Sequence, residues 1–343
     1  MQEALTFDDV IIQPGYSDIS SRHNGEIDTS TLLCKDIEMG IPIVSANMDT
    51  ITGGEMASAM SLLGGIGIIH RFSIFARQEQ ELKKVAPSRC VFSIGVGKEG
   101  QSRCRYLVEY EGGANPKAVC IDIAHGHCAA MFDQIRWVKR TYPGLKIIAG
   151  NVATARGALD LVEAGTDAIK VGVGPGSLCS TRTVTGCGVP QFTAIKSISE
   201  NLAHKNLTTP IIADGGVRNS GDIVKCLAIG ASSVMLGSLL AGCNEAPGEP
   251  FSIPGDDKKY KRYAGMASEE AQMNWKGYIS TVEGESTFVP AIGPVKDVID
   301  RLMRGVRSGM SYVGARTIKE LQEKAVFIRQ TSAGYIESTA HRL

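Results

Sequence analysis

Cys179 stands in a loop whose other residues could hold a ligand against it. The stretch from Lys170 to Gln191 reads KVGVGPGSLCSTRTVTGCGVPQ. It leaves a short apolar run, turns through Gly172, Gly174 and Gly176, then presents Ser177, Cys179, Ser180, Thr181 and Thr183 around Arg182. Glycine permits positive φ and close approach of the backbone to a ligand, and a series of free N–H and hydroxyl groups can cradle an anion. A thiol on a polar loop is reactive rather than inert, and a nearby arginine or helix N-terminus favours the attacking thiolate. A lone glycine-rich loop is equally a flexible connection with an incidental thiol; its position after a strand favours a site. Polar clusters follow other apolar runs too: Asn47-Met48-Asp49, His70-Arg71, Asp122 with His125 and His127, and Asp214-Gly215-Gly216. Asp49 and Asp122 fit helix N-caps as well as a site. The histidine pair has no third ligand of suitable type nearby, which argues against a metal there.

These clusters need a scaffold that brings strand ends together. Eight apolar runs, at 41–46, 65–70, 90–96, 118–124, 145–152, 168–173, 210–213 and 233–240, suit strands buried on both faces. Between them, amphipathic stretches predict helices over 54–63, 75–85, 129–141, 155–164, 192–203 and 221–229, two of them followed by glycine in the manner of a C-cap. Eight such alternations imply a (β/α)₈ TIM barrel in the α/β class, with its site at the carboxyl ends of the strands. ADGGVR (213–218) and LGS (236–238) follow the seventh and eighth strands, where barrels often bind phosphate. Asp214 would repel phosphate and suits a ribose hydroxyl. An excursion over about 242–293 is long for a barrel connection and reads as a functional lid or a disordered segment. It contains Glu283, which on sequence alone is also an ordinary surface glutamate. Helices over 295–306 and 317–325 close the chain, so residues 1–343 form one catalytic barrel domain.

Composition narrows the partners. The chain has 343 residues, no net formal charge and 43% hydrophobic residues, which disfavours nucleic acid or a membrane surface as partner. No apolar run approaches the ~20 residues of a membrane span, and the N-terminus lacks a signal-peptide layout. Nine scattered cysteines without a C-x-x-C pair argue against zinc and for a reducing, cytoplasmic setting.

Motifs along the whole chain resemble the family of inosine monophosphate dehydrogenases and GMP reductases. They are LTFDDV, ANMDT, GIGIIHR, DIAHGH, AGNVAT, GVGPGSLCSTR with TGCGVPQ, IADGGVR, VMLGS, APGE, YAGMASE, EGESTFVP and YVGA. Dehydrogenases of the family usually carry a pair of CBS modules between the second and third strands, and here the chain passes straight through. They also carry a flap arginine that activates water, whereas no arginine lies between Met266 and Glu283. GVRNSGD and the tail YIESTAHRL look dehydrogenase-like. The balance resembles GMP reductase. The competing readings are a CBS-less dehydrogenase that oxidises IMP with NAD, and a non-catalytic purine-nucleotide sensor.

The resemblance implies reductive deamination of GMP to IMP and ammonia by NADPH, through a thioimidate on Cys179. Thr181 and Glu283 match the family's proton-relay positions. Ser177, Asp214, Gly215, Gly216, Gly237 and Ser238 match ribose and phosphate positions, and Gly265, Met266, Ala267 and Gly284 those near the purine. Ala267 departs from the serine usual in reductases. Cofactor positions carried over are Ser21, Arg22, Arg71, Asp122, Ile123, Ala124, Val173 and Gly174, with Ser308, Gly309, Met310 and Ser311; the arginines would suit a 2′-phosphate. The resemblance also implies a potassium ion at Gly174, Gly176, Cys179 and Arg182, and a homotetramer.

Overall fold

Apolar runs such as IPIV and AVCI must be covered on both faces, and the chain covers them by closing eight strands on themselves. A computed structural model describes residues 3–22, 25–109 and 115–338. The barrel strands are β1 (Ile43–Ser45), β2 (Ile66–Ile69), β3 (Val91–Ile94), β4 (Ala118–Asp122), β5 (Lys146–Val152), β6 (Ala168–Val171), β7 (Ile211–Asp214) and β8 (Ser233–Leu236). Neighbours pair in parallel around the ring, and Val234 beside Ile43 and Ile211 beside Ile169 complete the closure. The TIM barrel expected from the sequence is therefore present.

Helices coat the outside: α1 (Gly54–Leu62), α2 (Phe75–Leu82), α3 (Gly97–Glu109), α4 (Ala129–Thr141), α5 (Ala155–Ala164), α6 (Gln191–His204) and α7 (Ser220–Ala228). Met131, Ile135 and Val138 show how α4 turns one face inward at helical spacing. On α5, Thr154 accepts the Gly157 N–H and Gly165 closes the helix at φ 109°. The last strand ends four residues before the apolar run does, because Gly237 to Leu240 form a turn in which Leu240 N donates to Gly237 O. Helix α3 was absent from the sequence-derived set, since Arg103 and Cys104 occupy much of its buried face.

Two additions seal the barrel. The hairpin Thr31–Cys34 and Ile37–Met39 lies across its amino-terminal end, with Thr31 Oγ1 donating to Ser232 O and Lys35 N to Asp167 O. The strand Val10–Gln13 pairs antiparallel with Val326–Arg329, joining the two ends of the described chain. Residues 339–343 of the tail lie outside the described residues. Among the described residues, no helix is long and apolar enough to cross a membrane.

The excursion is folded. Strands Phe251–Ser252, Lys259–Ala264 and Ser286–Pro290 make a small antiparallel sheet, and α8 (Glu269–Lys276) lies between the last two. Helix α9 (Val295–Val313) then returns to the barrel wall, running past the predicted end at 306. Lys261 helps fasten the sheet to the barrel: it is 1% exposed and donates from Nζ to the carbonyls of Cys243, Asn244 and Ala246 at 2.9, 3.3 and 2.5 Å. Burial lowers its pKa, and the carbonyl oxygens take the place of water. Lys261→Met leaves the buried carbonyls of Cys243 and Ala246 without that donor, so we expect a loss of about 2–3 kcal/mol. A thermal melt checks this, and an unchanged midpoint would show that the anchor is dispensable.

Candidate active site

The carboxyl ends of the strands open into a cleft of about 390 Å³ lined by residues of the Cys179 loop, Asp122, Arg71 and the excursion. Beyond β6, the chain turns at Gly172 (φ 152°), where a Cβ would lie 2.0 Å from Asp214 O, so glycine alone fits. The loop then ends in a helical turn, Thr181–Thr185. The excursion meets it edge to edge: Glu285 N donates to Leu178 O at 2.9 Å and Ser180 N to Glu283 O at 3.0 Å. Cys179 and Gly284 face each other as an antiparallel bridge.

That contact assembles a relay from residues about a hundred positions apart. The Cys179 thiol donates to Thr181 Oγ1 at 3.2 Å, and the Thr181 hydroxyl donates to Glu283 Oε2 at 2.9 Å. Cys179 and Cys187 are exposed, whereas six others are buried, and burial pushes Cys34, Cys90, Cys104 and Cys243 up to about 12. Those thiols are inert at neutral pH. Arg182 folds across the loop, its Nε donating to Val173 O at 3.3 Å and its Nη2 to Val189 O at 2.6 Å. Gly176 O accepts the Cys179 N–H. With its guanidinium spent on the Val173 and Val189 carbonyls, Arg182 could hold the expected potassium ion only through its backbone oxygen, as Gly174, Gly176 and Cys179 would. Among the described residues, no group of three His, Cys, Asp or Glu side chains could hold a metal. His127 instead contacts Asp160 at 2.9 Å.

Beside the relay, a pocket of about 140 Å³ is bordered by Ser177, Asp214, Gly215, Gly216, Gly237 and Ser238. Gly215 and Gly216 take φ 90° and 82°, which turns the backbone after β7 around the pocket. Ser177 Oγ lies 3.0 Å from the Tyr263 hydroxyl. Gly265, Met266, Ala267 and Gly284 border the main cleft.

The cofactor candidates divide. Arg71, Asp122, Ile123, Ala124, Val173 and Gly174 line the cleft. Arg71 stacks over Phe72 at 4.7 Å and Trp275 at 5.3 Å, and its buried Nε has no partner. That orphaned donor beside a planar wall fits a nucleotide cofactor. Arg22 donates to Ser308 Oγ at 2.9 Å and lies over Tyr312, and neither Arg22 nor Ser308 lines the cleft. Ser21 is likewise outside the cleft lining. Met310 and Ser311 are buried on α9, and Gly309 packs against Val224.

Several cleft residues escaped the sequence reading. Lys170 ion-pairs with both Asp122 and Asp214. Burial alone would raise the Asp122 carboxyl, but Lys170, with Arg71 and the Asn47 amide, brings it below its usual value. The flap residues Gln272 and Trp275 line the cleft as well. Gln272 donates to Ala267 O and Thr281 O and accepts from Ser280 N, which pins 277–283 onto α8.

Comparisons place this geometry among known proteins. A profile described as "IMP dehydrogenase / GMP reductase domain" matches residues 4–341. The chain belongs to the IMP dehydrogenase/GMP reductase family. It is similar to an inosine-5'-monophosphate dehydrogenase of Aquifex aeolicus, at 35% identity over 99% of this chain and 96% of that one. It is 36% identical to an inosine-5'-monophosphate dehydrogenase of Cryptosporidium parvum, over 99% of this chain and 95% of that one. Among solved structures it resembles a cysteine-to-alanine variant of GMP reductase from Trypanosoma brucei in complex with guanosine 5'-monophosphate. The TM-score is 0.93 at 29% identity, covering 100% of this chain and 98% of that one. Members of this family are oxidoreductases of purine nucleotides that use a nicotinamide cofactor.

Asp49 caps no helix. It lies beside Met266, whose sulfur accepts its backbone N–H, and its buried Oδ1 has no partner. Burial pushes its carboxyl from 3.8 up to about 6, Arg262 opposing and Glu270 adding to the shift. Between those values the folded state holds the proton more tightly than the unfolded chain does. Stability contributed by this group is therefore full below about pH 4 and is lost as pH rises through 6, by roughly 2–3 kcal/mol. Asp49→Asn should unfold at higher denaturant than wild type at pH 8 and lose that advantage at pH 4. Equal midpoints at pH 8 would contradict the burial of a charge.

Proposed function

We propose that the protein is a GMP reductase that converts GMP to IMP and ammonia with NADPH. The observation that carries this reading is the continuous Cys179–Thr181–Glu283 relay beside a flap without arginine. Purine C2 of GMP bears an amino group that leaves only as ammonia. Attack by Cys179 Sγ forms a C–S bond at C2, and the C–N bond breaks as Thr181, backed by Glu283, delivers the proton. When bound, the nicotinamide supplies a hydride to C2, and the C–S bond then breaks to return the thiolate. The chain's part in this second stage is to keep water from the thioimidate. No arginine lies between Met266 and Glu283 to act as a guanidine base on water, and Lys276, the cation of that stretch, donates to Ser280 Oγ at 3.2 Å.

Ser177, Asp214, Gly215, Gly216, Gly237 and Ser238 would hold the ribose and phosphate, and Met266, Ala267 and Gly284 the purine. Ala267 offers only its backbone. Arg71 and Asp122 would hold the cofactor in this chain. The assignment of Ser21, Arg22 and Ser308 to the same cofactor requires a neighbouring copy, which is the reason to keep the homotetramer as a proposal. We also read the chain as one catalytic barrel without CBS modules. Only residues 70–90, α2 among them, separate β2 from β3, and the Aquifex alignment runs over 482 positions against a chain of 343 residues. A second reading, a CBS-less IMP dehydrogenase using NAD, is supported by the names of the similar dehydrogenases.

The test follows reduced nicotinamide by its near-ultraviolet absorbance. GMP with NADPH should lose absorbance and release one ammonia per turnover, and IMP with NAD should give none of the reduced form. The opposite pattern would establish the dehydrogenase, and GMP binding without turnover in either would favour the sensor. Cys179→Ser should abolish turnover, and Thr181→Val and Glu283→Gln should each lower kcat by roughly 10²–10⁴-fold. Unchanged kcat in the last two would remove the relay from the mechanism.

A further inference from the structure

Lys170 is a charge at a position where the strand pattern calls for an apolar residue. It stands in β6 between the buried Ile169 and Val171, with its own side chain 4% exposed. Its ammonium meets Asp122 Oδ1 at 2.8 Å and Asp214 Oδ2 at 2.6 Å. Two amides complete the cluster: Asn47 Nδ2 donates to Asp122 Oδ2 at 2.9 Å, and Asn151 Nδ2 to Asp214 Oδ2 at 2.8 Å. None of these bonds uses Asp214 Oδ1, which is left to accept from a ligand.

The carboxylates come from different barrel strands. Asp214 ends β7 and also borders the small pocket, whereas Asp122 ends β4 and does not. Two carboxylates sharing one buried site cannot both stay ionised without a cation between them. Lys170 is the ammonium that both contact, and the cluster of one ammonium and two carboxylates carries a net charge of −1. Burial disfavours the ammonium, but the two carboxylates outweigh it and raise the Lys170 pKa, so the lysine stays charged.

We propose that Lys170 is a positioning residue that locks the nucleotide-side carboxylate Asp214 and the cofactor-side carboxylate Asp122 into one ionic unit, so that Asp214 keeps its aim and charge beside Asp122 only while the ammonium bridges them. Removing the lysine leaves a charge of −2, and Asp214 then turns from or protonates against Asp122 instead of facing a ribose. Neutralising Asp122 in that background returns the cluster to −1 and frees Asp214. A change on the cofactor side thereby rescues binding on the nucleotide side. This inference rests on the purine-nucleotide reading above and does not depend on which of the two reactions the protein runs.

The experiment is calorimetric titration of GMP, and in parallel IMP, into wild type, Lys170→Met, Asp122→Asn and the double variant, with no cofactor present. Lys170→Met should weaken the nucleotide at least about tenfold, and the double variant should recover to within about threefold of Asp122→Asn alone. A double variant as weak as Lys170→Met, when both fold, would reduce the lysine to a packing role and overturn the proposal. If Lys170→Met fails to fold, the double variant, which keeps the native net charge, decides by itself: a loss of tenfold or more against Asp122→Asn overturns it. Tight IMP binding without GMP turnover would sink the reductase reading while the rescue is still read with IMP. Wild type that binds neither nucleotide would overturn both.

Discussion

Two backbone hydrogen bonds, Glu285 N to Leu178 O and Ser180 N to Glu283 O, hold the chemistry together. Without them Cys179 is a thiol on a loop and Glu283 a carboxylate on an excursion. With them, the antiparallel edge of one segment sets the side chains of the other in register, and Thr181 falls between thiol and carboxylate. Everything nearby serves that contact. Gly265 lies where a Cβ would come within 3.2 Å of Leu178 O, and at Gly284 a Cβ would come 3.1 Å from Ser268 N. Lys261 ties the small sheet to the chain after β8, so the excursion approaches the barrel at a fixed place. The barrel supplies rigidity, and the excursion supplies the second half of the site.

The mouth of the barrel holds charges that folding alone would not select. Lys170, Asp122 and Asp214 are grouped where the strands below them are wholly apolar, and Asp49 keeps a buried oxygen unpartnered. Paired buried ions rarely gain stability over apolar residues of similar volume, and an unpaired one costs more. Such groups persist where a ligand completes them. The ring of strand ends is the part of the fold in which local rules of burial are broken repeatedly, and it coincides with the cleft.

Much of this was legible in the sequence. Runs such as AVCID and LKIIAGNV announced doubly covered strands, and glycines after Ala164 and Ile229 marked helix ends correctly. The polar residues trailing the first, second, fourth and seventh runs include four that line the cleft, Asn47, Arg71, Asp122 and Asp214. What failed was of two kinds. Long-range pairing left no local mark: the strand Val10–Gln13 finds its partner at Val326–Arg329, and nothing near either segment says so. Lys170 did leave a mark, a lysine inside AIKVGV, but a strand pattern cannot tell which two carboxylates an inward charge will meet. Arg22 and Ser308 were matched to the cofactor by resemblance, and in the single chain they bond to each other away from the cleft. Helix α3 was overlooked because an arginine held by Glu99 and Gln78 fills its inner face.

The proposed reaction begins with a bond from the Cys179 thiol to the purine. Its most direct test is the intact mass of protein quenched after mixing with GMP in the absence of NADPH. The expected result is a gain equal to the nucleotide less ammonia, located on the peptide that carries Cys179, with ammonia released in the same amount. GMP bound in the cleft with no adduct and no ammonia would contradict it.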